Sequence, residues 1–153
     1  MTTLKSRIEA DIPKAVKDGD ELVKSTLRMV LAAIKNAEVA GSEAVTLTDD
    51  QVINVLRAEA KKRVESADIY EQAGRVESAA KERGEITVIE RYLPAAMDAD
   101  ALAAVVAEAV AAAAANGQTG SKAMGVVIKA VKDKVGAAAD GAAIAQAVKA
   151  ALG

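Results

Sequence analysis

Glu21 to Ala40 reads ELVKSTLRMVLAAIKNAEVA, and the placing of its apolar residues decides the fold class. Val23, Leu27, Val30, Leu31, Ile34 and Ala37 recur at helical spacing and line one side, which predicts a strongly amphipathic α-helix. Its ends carry the matching punctuation. Asp18-Gly19-Asp20 precedes it, where Gly19 can take the left-handed conformation that closes one helix and Asp20 can cap the next. Gly41-Ser42 ends it.

The same periodicity continues in both directions. Upstream, Leu4, Ile8, Ile12 and Val16 predict a helix over Thr3–Lys17, which must bend or restart at Pro13 because proline lacks a backbone donor. Downstream, Thr48-Asp49-Asp50-Gln51 reads as a capping box opening the longest helix, Asp49–Gln72. Its expected apolar stripe is Val52, Ile53, Leu56, Ala60, Val64, Ala67 and Tyr70, and Gly74 breaks it. A fourth helix is expected over Val76–Tyr92, with Val76, Ala79, Ala80, Arg83, Ile86, Ile89 and Leu93 along one side and Gly84 as a point of close contact or weakness. Leu93-Pro94 then marks a boundary. Before it the chain is charge-rich; after it about four residues in ten are alanine, still spaced as helices rather than as a linker. Three further helices are expected, Asp98–Ala115, Ser121–Val135 and Asp140–Leu152, with stops at Asn116-Gly117 and Gly136. The reading is therefore all-α: a four-helix N-terminal domain over 1–94, then an alanine-rich three-helix domain over 95–153.

Composition narrows the chemistry. The 153 residues are 52% hydrophobic and 27% charged, which is globular rather than disordered. Only Tyr70 and Tyr92 are aromatic, so the core must be built from Ala, Val, Leu, Ile and Met. Twenty basic and 22 acidic residues give a net charge of −2, which disfavours a nucleic-acid packager or a polybasic membrane binder but leaves room for a local basic strip. Cysteine and histidine are both absent, which removes disulfides, thiolate nucleophiles, the commonest general base and the commonest metal ligands. No catalytic residue, metal site or cofactor is expected. The first residues lack an apolar run, and Ala99–Ala115 is too short and alanine-rich to span a bilayer, so the cytoplasm is the expected compartment.

Four stretches taken in order resemble a known family. They are Thr26–Glu38 (TLRMVLAAIKNAE), Leu56–Arg75 (LRAEAKKRVESADIYEQAGR), Glu82–Pro94 (ERGEITVIERYLP) and Gly120–Gly141 with its Met124-Gly125 and Asp140-Gly141. Together they are similar to the YqeY-like proteins, which share their fold with the tail of the GatB subunit of tRNA-dependent amidotransferases. The resemblance implies a four-helix unit followed by a three-helix unit, contact with tRNA or with an amidotransferase, and no chemistry in this chain alone. Carbon–nitrogen ligation with glutamine as donor would belong only to a complex. Two departures bear on phosphate contact. Val126 stands where relatives carry a base after Met-Gly, and Gly136 to Gly141 holds no base.

The candidate nucleic-acid contacts are Lys24, Arg28 and Lys35 on the second helix and Arg57, Lys61 and Lys62 on the third. Antiparallel packing would bring the two strips together. The competing reading is a set of solvated faces interlaced with Glu21, Glu38, Glu59 and Glu65. Arg63 and Glu59 project toward the apolar side of the third helix, which calls for a structural ion pair with Glu82 or Glu85; Arg83 invites the same argument. Tyr92 beside Pro94 is expected to be an interdomain packing anchor with a partner for its hydroxyl, and Gly125 a point where two elements approach closely. The main expectation is a non-catalytic tRNA- or amidotransferase-related binding module; the alternative is a helical adaptor docking a protein through its alanine-rich face.

Overall fold

A computed structural model describes residues 2–95 and 97–153. Among them lie seven α-helices and no strand: α1 (Leu4–Asp18), α2 (Glu21–Glu38), α3 (Asp49–Gln72), α4 (Val76–Glu90), α5 (Ala99–Ala115), α6 (Met124–Val135) and α7 (Gly141–Leu152). The chain divides into two compact units, Met1–Leu93 and Pro94–Gly153.

In the first unit the helix ends follow from local chemistry. The Thr3 hydroxyl accepts from Ser6 N at 3.1 Å to start α1, and Gly19 closes it at φ +68°. Pro13 neither ends nor restarts α1. Ile8 and Ala15 are both buried on either side of it, and their packing holds the chain helical across the missing hydrogen bond. Asp20 caps α2 through Val23 N at 3.1 Å, and the Thr48–Gln51 box opens α3. Helix α4 stops at Glu90, two residues before the expected end, as the chain turns through Arg91 and Tyr92 toward Pro94.

The four helices close on Ile8, Leu27, Val30, Ile34, Val52, Leu56, Val88, Ile89 and Tyr92. Each large aliphatic side chain removed from water here contributes roughly 1.5–3 kcal/mol. Two expected stripes are rotated. On α3 the buried line runs Val52, Leu56, Arg63, Ala67, and Val64 is exposed. These positions recur within a narrow arc, and Val64 falls about 60° outside it. On α4 the inward residues are Ala79, Glu85, Val88 and Ile89, so Val76, Ala80 and Arg83 face water. Arg83 is thus not an inner-face residue; it pairs on the surface with Glu71 and, at 3.7 Å, with Asp68.

The second unit packs α5, α6 and α7 around Leu102, Val106, Ala113, Ala123, Val127, Val131, Ile144 and Val148. Asp98 caps α5 and Asp140 caps α7, each through backbone N–H groups of the first turn. The expected Ser121–Val135 helix is divided: a 3₁₀ turn over Gly120–Ala123 leads into α6, since Thr119 makes no side-chain cap and the tighter turn serves the end groups instead. Gly125 is not a close-packing point. It is exposed, and a Cβ built there meets nothing within 4 Å, because α6 turns Ala123, Val127 and Val131 inward. The close approach lies instead at Gly84 on α4, where a Cβ would stand 3.0 Å from Leu22 Cδ2 of α2. No single helix among the described residues is long and apolar enough to cross a membrane.

Candidate nucleic-acid interface

Arg28 and Lys35 stand exposed on one edge of α2, and Lys61 on the outer face of α3. None of these three has a carboxylate within ion-pair distance among the described residues. Lys24 shares the α2 edge but is held at 2.7 Å by Glu21 and is largely covered. Arg57 is half-buried on α3. Lys62 belongs elsewhere: it lies about 100° round α3 from Lys61 and 140° from Arg57. It reaches toward Glu59 at 3.8 Å.

The two strips do not meet across the α2–α3 contact. On α2, Met29 touches Arg63 of α3 at 3.8 Å and Leu22 touches α4. That edge lies about 130° around the helix from Lys24, Arg28 and Lys35. The α2 cations flank the α1 side instead, where Lys5 of α1 binds Glu38 at 2.7 Å. Spacing within each helix was readable; which edge each helix turns to its neighbour is a tertiary outcome.

Beneath these surfaces lies a buried charge cluster. Arg63 Nε donates to Glu85 at 3.0 Å, and its Nη1 donates to the Glu59 carboxylate at 3.1 Å and to the Glu59 carbonyl at 3.0 Å. Glu82 adjoins the cluster. Burial, and next the Glu85 charge, push its carboxyl above the ordinary range. Arg63 thus binds two carboxylates directly, and Glu82 stands beside them without a cation of its own at ion-pair distance among the described residues.

Tyr92 packs into the core of the first unit, and its hydroxyl donates to Asp11 of α1 at 2.6 Å. Burial first, and then that hydrogen bond, push the phenol well above its usual value, while the bond holds Asp11 low. Arg7 lies over the ring at 5.0 Å. The Asp11–Tyr92–Arg7 arrangement carried no short-range signal, because Tyr92 lies 81 residues from Asp11. Among the described residues no group of three or more acids could hold a metal ion.

Seven helices in two units among the described residues, with a buried ion pair inside the first, define a small all-helical protein. The chain belongs to the YqeY-like protein family, whose profile it matches over residues 5–152. Among curated proteins it is similar to altered inheritance of mitochondria protein 41, mitochondrial, of Clavispora lusitaniae, at 34% identity over 62% of this chain and 56% of that protein. The protein of the same name from Meyerozyma guilliermondii is also 34% identical, over 56% of this chain and 44% of its own length. The chain therefore spans about half the length of these relatives.

Proposed function

We propose that this protein is a helical accessory module that contacts tRNA, alone or beside an amidotransferase, and that performs no bond-making unaided. The observation that carries the reading is the α2 edge, where Arg28 and Lys35 are exposed and form no direct ion pair among the described residues. Family membership adds weight through the resemblance to the amidotransferase tail. Unpaired exposed cations on a rigid helix suit phosphate contact, which positions a nucleic acid without reading its bases. Lys61 and Arg57 form a second, separate contact on α3. An RNA engaging both must therefore wrap rather than lie in one groove. The cytoplasm or an organelle holding tRNA would serve equally.

Filter binding of total tRNA at two salt concentrations tests this. Retention at low salt should weaken steeply as salt rises, and R28Q/K35Q should flatten the log–log slope by roughly one to two units. R57Q/K61Q should act independently and additively. No retention of tRNA at low salt removes the proposal.

A further inference from the structure

We propose that the first unit carries a phosphate-binding cleft between α1 and the turn after α4, with Arg7 and Arg91 as its clamp. The cleft encloses about 260 Å³ and is walled by Arg7, Asp11, Lys14 and Asp18 of α1, Asp20 and Val23 at the start of α2, and Arg91 with Tyr92. Three cations and three carboxylates line it, but they are not equally available. Asp11 is taken by the Tyr92 hydroxyl at 2.6 Å and by Lys14 at 3.1 Å. Asp20 is taken by the backbone N–H of Val23. Arg7 and Arg91, in contrast, have no carboxylate within ion-pair distance among the described residues. Arg7 is steadied by its stack on the Tyr92 ring, and both guanidinium charges act on the Tyr92 hydroxyl.

The remaining acid, Asp18, sits at the far end of the cleft. It lies eleven residues from Arg7, about 16 Å along α1. The cleft is thus polarised: Arg7 and Arg91 stand at one end, and the carboxylate nearest Arg7, Asp11 one turn along α1, is already shared by Lys14 and the Tyr92 hydroxyl. Two guanidinium forks from different elements suit a tetrahedral oxyanion, which offers more acceptors than a carboxylate that one arginine already saturates. The phosphate can be a terminal or free group, or a diester of an RNA backbone. This site shares no residue with the α2 and α3 edges and does not depend on them.

The test is a titration of the full ¹⁵N-labelled chain with inorganic phosphate, chloride holding ionic strength constant, following the arginine Nε–H and α1 amide signals. A parallel titration uses a 5′-hydroxyl oligouridylate, which contains only diesters. Saturable shifts of Arg7 and Arg91 in either titration support the cleft, and which ligand produces them tells the two phosphate sources apart. R91Q should weaken binding about tenfold while D18N strengthens it, opposite signs that general loss of structure does not produce. K129Q, exposed on α6, should leave this binding unchanged. Absence of saturable shifts with both ligands, or changes of the same sign in R91Q and D18N, overturns the proposal. Either result leaves tRNA retention through the α2 edge to be judged by its own assay.

Discussion

Arg63 and Glu85 meet at 3.0 Å across the α3–α4 hairpin, with 8% and 4% of their surfaces exposed. Burial makes this pair a condition of the fold more than a source of stability. Taking both charges from water costs several kcal/mol each, and their attraction together with the Glu59 contacts offsets that cost. What the pair supplies is register. α3 and α4 can slide past one another only by separating it.

Arg63→Met should therefore cost about 3–5 kcal/mol, because Glu85 is left charged, buried and unpartnered. The double variant Arg63→Met/Glu85→Met should recover most of that loss, since Glu59 lies nearer the surface and can turn to water. Urea unfolding of the two single variants and the double would show it. A double variant as unstable as the sum of the singles would refute the account.

Glu82 makes a pH prediction. Its folded carboxyl is raised by burial and by Glu85, so its contribution to stability is full below the unfolded value and is lost as pH rises through the folded one. Glu82→Gln should then raise the melting temperature at neutral pH. The gain should shrink as pH falls through the raised folded value and vanish below the unfolded one, about 4.3, where the native residue is protonated in both states. Melting curves of the two proteins across that range measure it.

Glu38 behaves in the opposite sense. Lys5 binds it at 2.7 Å and Leu47 N donates to it, so its carboxyl is held below the ordinary value, chiefly by the Lys5 hydrogen bond. Its stabilisation is present above the unfolded value and disappears as pH falls through the folded one. Glu38→Gln should destabilise at neutral pH, with the difference from the native chain closing on acidification. Opposite pH trends for the Glu38 and Glu82 variants, measured in the same buffers, would separate their two environments.

Element boundaries were largely legible because they depend on short-range chemistry. Thr48, Asp20, Asp98 and Asp140 cap where their side chains allow, and Gly19 turns left-handed where only glycine does so freely. Inward faces were legible only where large aliphatic residues dominated. On α4, Val76 and Arg83 suggested one stripe, while the need to satisfy Arg63 with Glu85 turned another inward. The six candidate cations were identifiable by spacing, but their division between separate edges was not, since it rests on α2 presenting Met29 to α3. Tyr92 was visible as a packing residue, yet its partner Asp11 and its place in the first unit emerge only from the tertiary structure.

Gly84 sets two effects of similar size against each other. Alanine in mid-helix is favoured over glycine by about 1 kcal/mol. Against this, the new Cβ would lie 3.0 Å from Leu22 Cδ2, so Leu22 must withdraw by a few tenths of an ångström. Leu22 can do so, because 37% of its surface is exposed and its contact is a side-chain tip rather than backbone. Propensity should win narrowly, and Gly84→Ala should stabilise the chain by up to about 0.5 kcal/mol. In a Leu22→Ala background the obstruction is gone, and the same substitution should yield nearly the full 1 kcal/mol. Gly84→Val should destabilise the native chain, since a branched side chain reaches beyond the space that Leu22 can vacate, and should do so less in the Leu22→Ala background. Urea unfolding of the Gly84→Ala, Leu22→Ala and combined variants completes the cycle, and a smaller gain in the Leu22→Ala background would contradict the assigned contact.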